Sequence, residues 1–142
     1  MEIITKRFIR HGDDRGQLIA IEGDKDLGFP IKRVYYIFET LPDVRRGFHA
    51  HKALQQYLIC MHGSCKILLD DGHEKTVVEL NDPAFGLYIG PSTWREMYDF
   101  EPGTVLTVLA SMEYDESDYI RDYETFLCYI EKTESVKGEE RA

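Results

Sequence analysis

The chain has 142 residues, 43% of them hydrophobic and 12% aromatic, and a formal net charge of −9. That length and composition suit one globular domain over residues 1–142 and exclude a disordered chain. The acidic balance argues against a nucleic-acid surface, and the lack of a long apolar run argues against a membrane span or a secretory leader. The cysteines Cys60, Cys65 and Cys128 form no C-x-x-C pair, which suits free thiols in a reducing cytoplasm.

From the N-terminus, the turn-forming run His11-Gly12-Asp13-Asp14-Arg15-Gly16 leads into a strand over Gln17 to Glu22. Pro30 precedes a second strand, Ile31 to Phe38. There Arg33, Tyr35 and Ile37 share one face, and Val34, Tyr36 and Phe38 the other. A loop holding Pro42 leads to Arg46-Gly-Phe-His-Ala-His-Lys52, and Leu54 to Met61 reads as an apolar strand. Cys65 to Leu69 and Thr76 to Leu80 flank Asp70-Asp71-Gly72-His73. Asp-Gly tolerates the positive φ of a tight turn, so this pair reads as a hairpin. Phe85 to Ile89, Trp94 to Phe100 and Val105 to Ala110 complete the series, punctuated by Pro91 and Pro102-Gly103. Short strands spaced by turns, with no helix until late, predict an all-β sandwich or small barrel around one ligand-sized cavity. From about Asp118, Tyr119, Tyr123, Phe126 and Ile130 recur at helical spacing. A C-terminal α-helix is therefore expected, capped by Asp115, with one face on the barrel or on a partner subunit. The charged tail after Lys132 is expected to fray.

In a strand, His49 and His51 project side by side, with Phe48 and Ala50 opposite. Two imidazoles on one face suit a metal or proton transfer. His-x-His followed by an acid and a distant His is the metal pattern of the cupin barrels, and this stretch is similar to it. Here Gln55 or Gln56 holds the place of the acid. In the second motif, Gly86-Leu-Tyr-Ile-Gly-Pro91 to Glu96, Arg95 and Glu96 stand where the last His is expected. A first-row metal wants several neutral or anionic ligands. Two imidazoles, an amide and a cation do not supply them, so neither a metal nor another cofactor is expected. The simpler alternatives are satisfied interior histidines, core aromatics at Tyr35, Tyr36 and Trp94, and solvated charges at Arg33, Arg46 and Lys52. His11, His62 and His73 fall in predicted turns and read as surface residues.

The segments Ile31-Lys-Arg-Val-Tyr-Tyr-Ile-Phe38, Arg46-Gly-Phe-His-Ala-His-Lys52, Gly86-Leu-Tyr-Ile-Gly-Pro91, Trp94 with Glu96-Met97, and Tyr114-Asp-Glu-Ser-Asp-Tyr-Ile-Arg121 occur in this order. Together they resemble the dTDP-4-keto-6-deoxyglucose 3,4-ketoisomerases over roughly residues 5 to 130. The resemblance implies a metal-free cupin, or jelly-roll, fold and a homodimer with exchanged N-terminal strands. It also implies a dTDP-sugar in the barrel mouth and a role in making 3-amino-3,6-dideoxyhexoses for bacterial surface glycans such as the lipopolysaccharide O-antigen.

Moving a carbonyl from C4 to C3 means removing the C3 proton, forming an enediolate and reprotonating C4. Imidazole suits that traffic near neutral pH, and His49 and His51 divide it in an order the sequence leaves open. Tyr35 resembles the family's active-site tyrosine and is expected to donate to the developing oxyanion. Arg33, Arg46 and Lys52 are candidates for the diphosphate. Gln56 is expected to hydrogen-bond a His or a sugar hydroxyl. Arg15 and Arg95 fall where the family's subgroups differ, Arg with His giving the galacto product and Tyr with Arg the gluco product. This chain mixes the two patterns. Without a His at 95 the acid for the opposite face is missing, so the gluco configuration is expected. The rival functions are a dTDP-sugar 3,5-epimerase-like enzyme, built on one His with an Asp and a Tyr, and a non-catalytic sugar-nucleotide-binding cupin.

Overall fold

The computed structural model describes residues 1–141. Three short strands open the chain: β1 (Thr5–Arg7), β2 (His11–Asp13) and β3 (Gly16–Leu18). A five-residue helix, α1 (Gly23–Leu27), follows. Then come β4 (Arg33–Ile37), β5 (Arg46–His51), β6 (Gln56–His62), β7 (Cys65–Asp70), β8 (Lys75–Leu80), β9 (Phe85–Ile89), β10 (Trp94–Tyr98) and β11 (Val105–Ala110). A 3₁₀ turn (Glu116–Asp118), the short strand β12 (Tyr119–Ile120) and a long helix, α2 (Tyr123–Arg141), end it.

Two five-stranded sheets face each other, in the orders β1-β9-β6-β11-β4 and β12-β5-β10-β7-β8. Every pairing is antiparallel. The expected all-β sandwich with a C-terminal helix is thus the architecture observed. Apolar side chains alternate inward to form the central core, among them Leu58, Ile67, Leu87, Leu106 and Val108. Both outer faces are also covered in part. Tyr57 and Ile59 of β6 pack under α1 against Phe8, Leu27 and Phe29. Phe126 and Ile130 of α2 pack with Ile120 on Ala50 and Trp94 of the other sheet. The helix therefore docks on its own sheet, and Trp94 is a core residue.

Four local expectations change. The strand placed over Gln17 to Glu22 ends at Leu18 and gives way to α1, an early helix the pattern did not indicate. Ile19 and Ile21 pack against the α1 cluster instead of pairing with a strand. The Asp70–Gly72 turn is a hairpin loop, but a longer one. Asp70 accepts from Gly72 N–H, and Asp71 from the N–H groups of His73 and Glu74. The late helix begins at Tyr123 rather than near Asp118 because Asp122 takes the cap, accepting from Thr125 N–H at 2.9 Å. Asp115 caps the 3₁₀ turn instead, through Ser117 N–H at 3.0 Å. Finally, the tail expected to fray continues α2 to Arg141, built from helix-favouring Glu and Lys and tied to the β7–β8 loop by His73 and Glu134.

Candidate active site

Strand β5 carries the histidine pair, and its backbone is irregular just before it. Gly47 and Phe48 both have positive φ, 93° and 54°. Across on β10, Arg95 pairs with His49 while Glu96 pairs with Gly47, so Phe48 is the extra residue of a bulge. A Cβ on Gly47 would lie 2.9 Å from the Arg95 carbonyl oxygen, which explains the glycine. The bulge turns Phe48 out to solvent and changes the parity of the strand. Arg46 and His49, three residues apart, both line one cavity of about 440 Å³. Its walls also hold Arg33 and Tyr35 from β4, Met97 from β10, and Tyr114, Tyr119 and Arg121 from the segment before α2.

Both imidazoles are anchored through Nδ1. His49 Nδ1 donates to the Gly47 carbonyl at 3.0 Å, and His51 Nδ1 to Asp118 Oδ2 at 3.0 Å. The rings stand nearly perpendicular, 5.0 Å between centroids, with the Tyr119 ring 5.0 Å from His49 and 4.3 Å from His51. Neither Nε2 has a partner among the described residues, although both are buried. Burial, and then the neighbouring Arg95 guanidinium, disfavour the protonated rings, pushing His49 down to about 4 and His51 to about 2. Two neutral rings thus carry open lone pairs, the state a proton acceptor needs.

Arg95 is almost wholly buried and, among the described residues, forms no ion pair. Its Nη1 donates to Gln56 Oε1 at 2.5 Å and its Nη2 to the Thr93 carbonyl at 3.0 Å. Burial lowers its pKa to about 10, which leaves it positive at neutral pH. Gln56 passes the chain on, its Nε2 donating to the Tyr35 hydroxyl at 3.0 Å. The Tyr35 hydroxyl thus keeps its own hydrogen to give, and burial raises its pKa so that it stays protonated. Gln55, the other amide at the acid's place, faces away and accepts from the Tyr88 hydroxyl. No group of three His, Cys, Asp or Glu converges among the described residues. The amide at the acid's place is taken up by Arg95, so the donor set fits a metal poorly.

The structure brings His49, His51, Tyr35, Arg33, Arg46, Gln56 and Arg95 to one end of the sandwich. Arg33 lies over the Tyr35 and Tyr114 rings. Two predicted residues stand elsewhere. Arg15 occupies the tip of the β2–β3 hairpin, exposed and forked onto Asp13, because that hairpin projects from the sheets. Lys52 leaves the end of β5 toward an outer groove shared with Arg121, Asp122 and Lys132. Sequence reasoning missed Asp118, Tyr119 and Arg121 by assigning them to the helix or its approach. The competing cap at Asp122, followed by Thr125, was the signal that placed them before it. Glu116 holds Arg121 at the cavity mouth through two hydrogen bonds, which lowers the Glu116 pKa to about 2.

Two packed antiparallel sheets, open at one end onto a histidine-lined cup, define a cupin-type protein. The FdtA family pattern (WxcM-like, C-terminal) matches residues 1–131, and the chain belongs to that family. It is 55% identical over 132 residues to the TDP-4-oxo-6-deoxy-alpha-D-glucose-3,4-oxoisomerase of Aneurinibacillus thermoaerophilus, covering 93% of this chain and 95% of that one. Among solved structures it is similar to QdtA, a 3,4-ketoisomerase of Thermoanaerobacterium thermosaccharolyticum, in a histidine-to-asparagine variant in complex with TDP-4-keto-6-deoxyglucose. The TM-score is 0.90 at 50% identity, over 92% of this chain and 94% of that one. The WlaRB TDP-quinovose 3,4-ketoisomerase of Campylobacter jejuni gives a TM-score of 0.84 at 51% identity, over 88% and 96%. A 3'-monoepimerase of Streptomyces bikiniensis, 16% identical at a TM-score of 0.72, shares the fold alone.

Proposed function

We propose that this chain is a TDP-sugar 3,4-ketoisomerase. It converts TDP-4-keto-6-deoxyglucose to a TDP-3-keto-6-deoxyhexose by proton transfer through an enediolate, without a metal. The observation that carries this reading is the pair of neutral, adjacent imidazoles with buried, partnerless Nε2 atoms. His49 lines the open cavity, whereas His51 lies behind it and is the more buried of the two. His49 is therefore the base that takes the C3 proton, and His51 is the second proton carrier. Tyr35 donates to the oxygen that gains charge. Arg95, a buried cation with no counter-ion beside it, stabilises the enediolate as that charge appears. Arg33, Arg46 and Arg121 at the mouth hold the diphosphate, with Tyr114 and Tyr119 as flat surfaces for the nucleotide. Proton NMR of the enzyme with TDP-4-keto-6-deoxyglucose tests the reading, because the carbonyl must move to C3. A sugar that keeps its C4 carbonyl would sink it.

The His51–Asp118 pair beside Tyr119 supports one second reading, an epimerase acting on C3 or C5. The same spectra separate the two, since an epimerase inverts a centre and leaves the carbonyl in place. The product keeps the gluco configuration, because the buried guanidinium of Arg95 occupies the position from which a His would protonate the other face. An aminotransferase acting at C3 consumes that product on the way to a 3-amino-3,6-dideoxyhexose for surface glycans. No helix among the described residues is long and apolar enough to cross a membrane. Three free cysteines, two of them buried, suit work in the reducing cytoplasm.

The enzyme acts as a homodimer with exchanged N-terminal strands. Val34 and Tyr36, exposed on the outer face of the edge strand β4, support this, as does Phe38, exposed just past its end. So do Ile9, just before the projecting hairpin, and Leu18, at the end of its second strand, both of which are exposed. In such a dimer the hairpin delivers Arg15 to the partner's site. A monomer in sedimentation equilibrium at assay concentration would remove this part of the reading.

A further inference from the structure

We propose that Asp118 is a positioning residue. Its carboxylate fixes His51 in the tautomer that carries hydrogen on Nδ1 and turns an open Nε2 lone pair inward. The proposal rests on the ketoisomerase reading above and assigns the group on which the second proton carrier depends.

Asp118 is 7% exposed and receives four hydrogen bonds from one turn of chain. Its Oδ1 accepts from Ala53 N–H at 2.8 Å. Its Oδ2 accepts from Leu54 N–H at 3.2 Å and lies 3.0 Å from His51 Nδ1, while its main-chain carbonyl accepts from Lys52 N–H at 3.0 Å. A carboxylate has no hydrogen to offer, so Nδ1 is the donor, and in a neutral ring Nε2 is then bare. That atom is buried and has no partner among the described residues, so a proton arriving from a substrate has a place to go. His49 is held in the same tautomer by a backbone carbonyl, which no substitution changes. His51 alone depends on a side chain. Asp118 also immediately precedes Tyr119, whose ring rests 4.3 Å from His51, so one anchor sets both the ring and the wall beside it.

The chemistry requires the carboxylate rather than its amide. Three N–H donors converge on the two side-chain oxygens, and an asparagine has only one oxygen. Backbone N–H groups cannot reverse, whereas an imidazole can. Either placement sets the amide nitrogen against one backbone N–H, and the Oδ2 site gives up the longer 3.2 Å contact from Leu54 while keeping the 2.8 Å one from Ala53, so the NH2 turns to His51 Nδ1 and drives the ring hydrogen to Nε2, blocking the acceptor.

Long-range ¹H–¹⁵N spectra of the ¹⁵N-labelled full chain, with His51 assigned by the His51→Asn variant, read the tautomer directly. The unaltered enzyme is expected to show hydrogen on Nδ1 of His51. Asp118→Asn is expected to show it on Nε2, with kcat lowered roughly a hundred- to a thousandfold and TDP binding and KM within about threefold. Three results would overturn the proposal. One is a hydrogen on Nε2 in the unaltered enzyme, which decides the matter even if the variant does not fold. Another is an unchanged tautomer in Asp118→Asn, which makes any loss of activity structural. The third is near-normal turnover despite a reversed tautomer. Failure of the ketoisomerase reading is seen separately, as a carbonyl that stays at C4 with the unaltered enzyme, because the tautomer is read without turnover.

Discussion

The two ends of the space between the sheets are built from the same strands, yet they do opposite things. On β6, Gln56 and Leu58 point the same way, two residues apart, and both are almost fully buried. At the closed end, Leu58, Ile67 and Leu106 fill the space with apolar side chains. At the open end, equal burial falls on groups that need hydrogen bonds. The chain from Arg95 through Gln56 to Tyr35 supplies them, except where atoms face the cavity. Among the described residues, four of the five buried side-chain polar atoms without partners belong to Arg33, His49, His51 and Arg95. Burial alone therefore does not mark a site. Burial with unmet polar atoms, all at one end, does.

The largest effect that sharpens this contrast is at the open end. His49→Asn should lower kcat about a thousandfold while leaving the melting temperature within a few degrees, since general base catalysis contributes about 10²–10⁴. Steady-state kinetics beside a thermal melt check it, and near-wild-type turnover would remove His49 as the base. The closed end should show the reverse. Leu58→Ala should cost about 2–5 kcal/mol in urea unfolding and leave kcat of the folded fraction near its original value.

A third test uses pH. His49 is pushed down to about 4 from 6.5, so the unfolded chain binds protons that the folded chain refuses. The fold should lose stability as pH falls below about 6.5 and keep losing it until about 4, with His51 acting in the same direction. The acid limb of kcat/KM should accordingly lie below pH 5. Arg95→Met removes the neighbouring cation and should move that limb upward toward 6.5; a limb that stays in place would show that burial alone holds the rings neutral. Gly47→Ala should cost about 1–2 kcal/mol, because the left-handed backbone at the bulge excludes a Cβ. The smallest effect is expected from Arg15→Tyr. It should leave the configuration of the sugar product unchanged by NMR, and a switch would give residue 15 command of the protonated face.

Much of the site was legible because period-two alternation is a local property. It put His49 beside His51, and Arg33 beside Tyr35, on shared faces, and both pairs line or back the cavity. It misread Phe48 as the simple opposite of His49, because a bulge depends on pairing with β10. It also placed Tyr119 in a helix, because aromatic spacing there fits a helix as well as a strand edge. The choice was made by Asp122 capping from inside the run and by Tyr119 pairing with His51 on β5.

The order of strands and turns, the paired imidazoles, and the amide and guanidinium where a metal cupin needs ligands were all written in the residues themselves. The fold alone decided which strands meet, where the bulge falls, and that Asp118 reaches His51 across 67 positions of chain. Backbone preference acts over a few residues and can be read along a line. A carboxylate finds its imidazole only after the sheets have packed, and no local pattern encodes that distance.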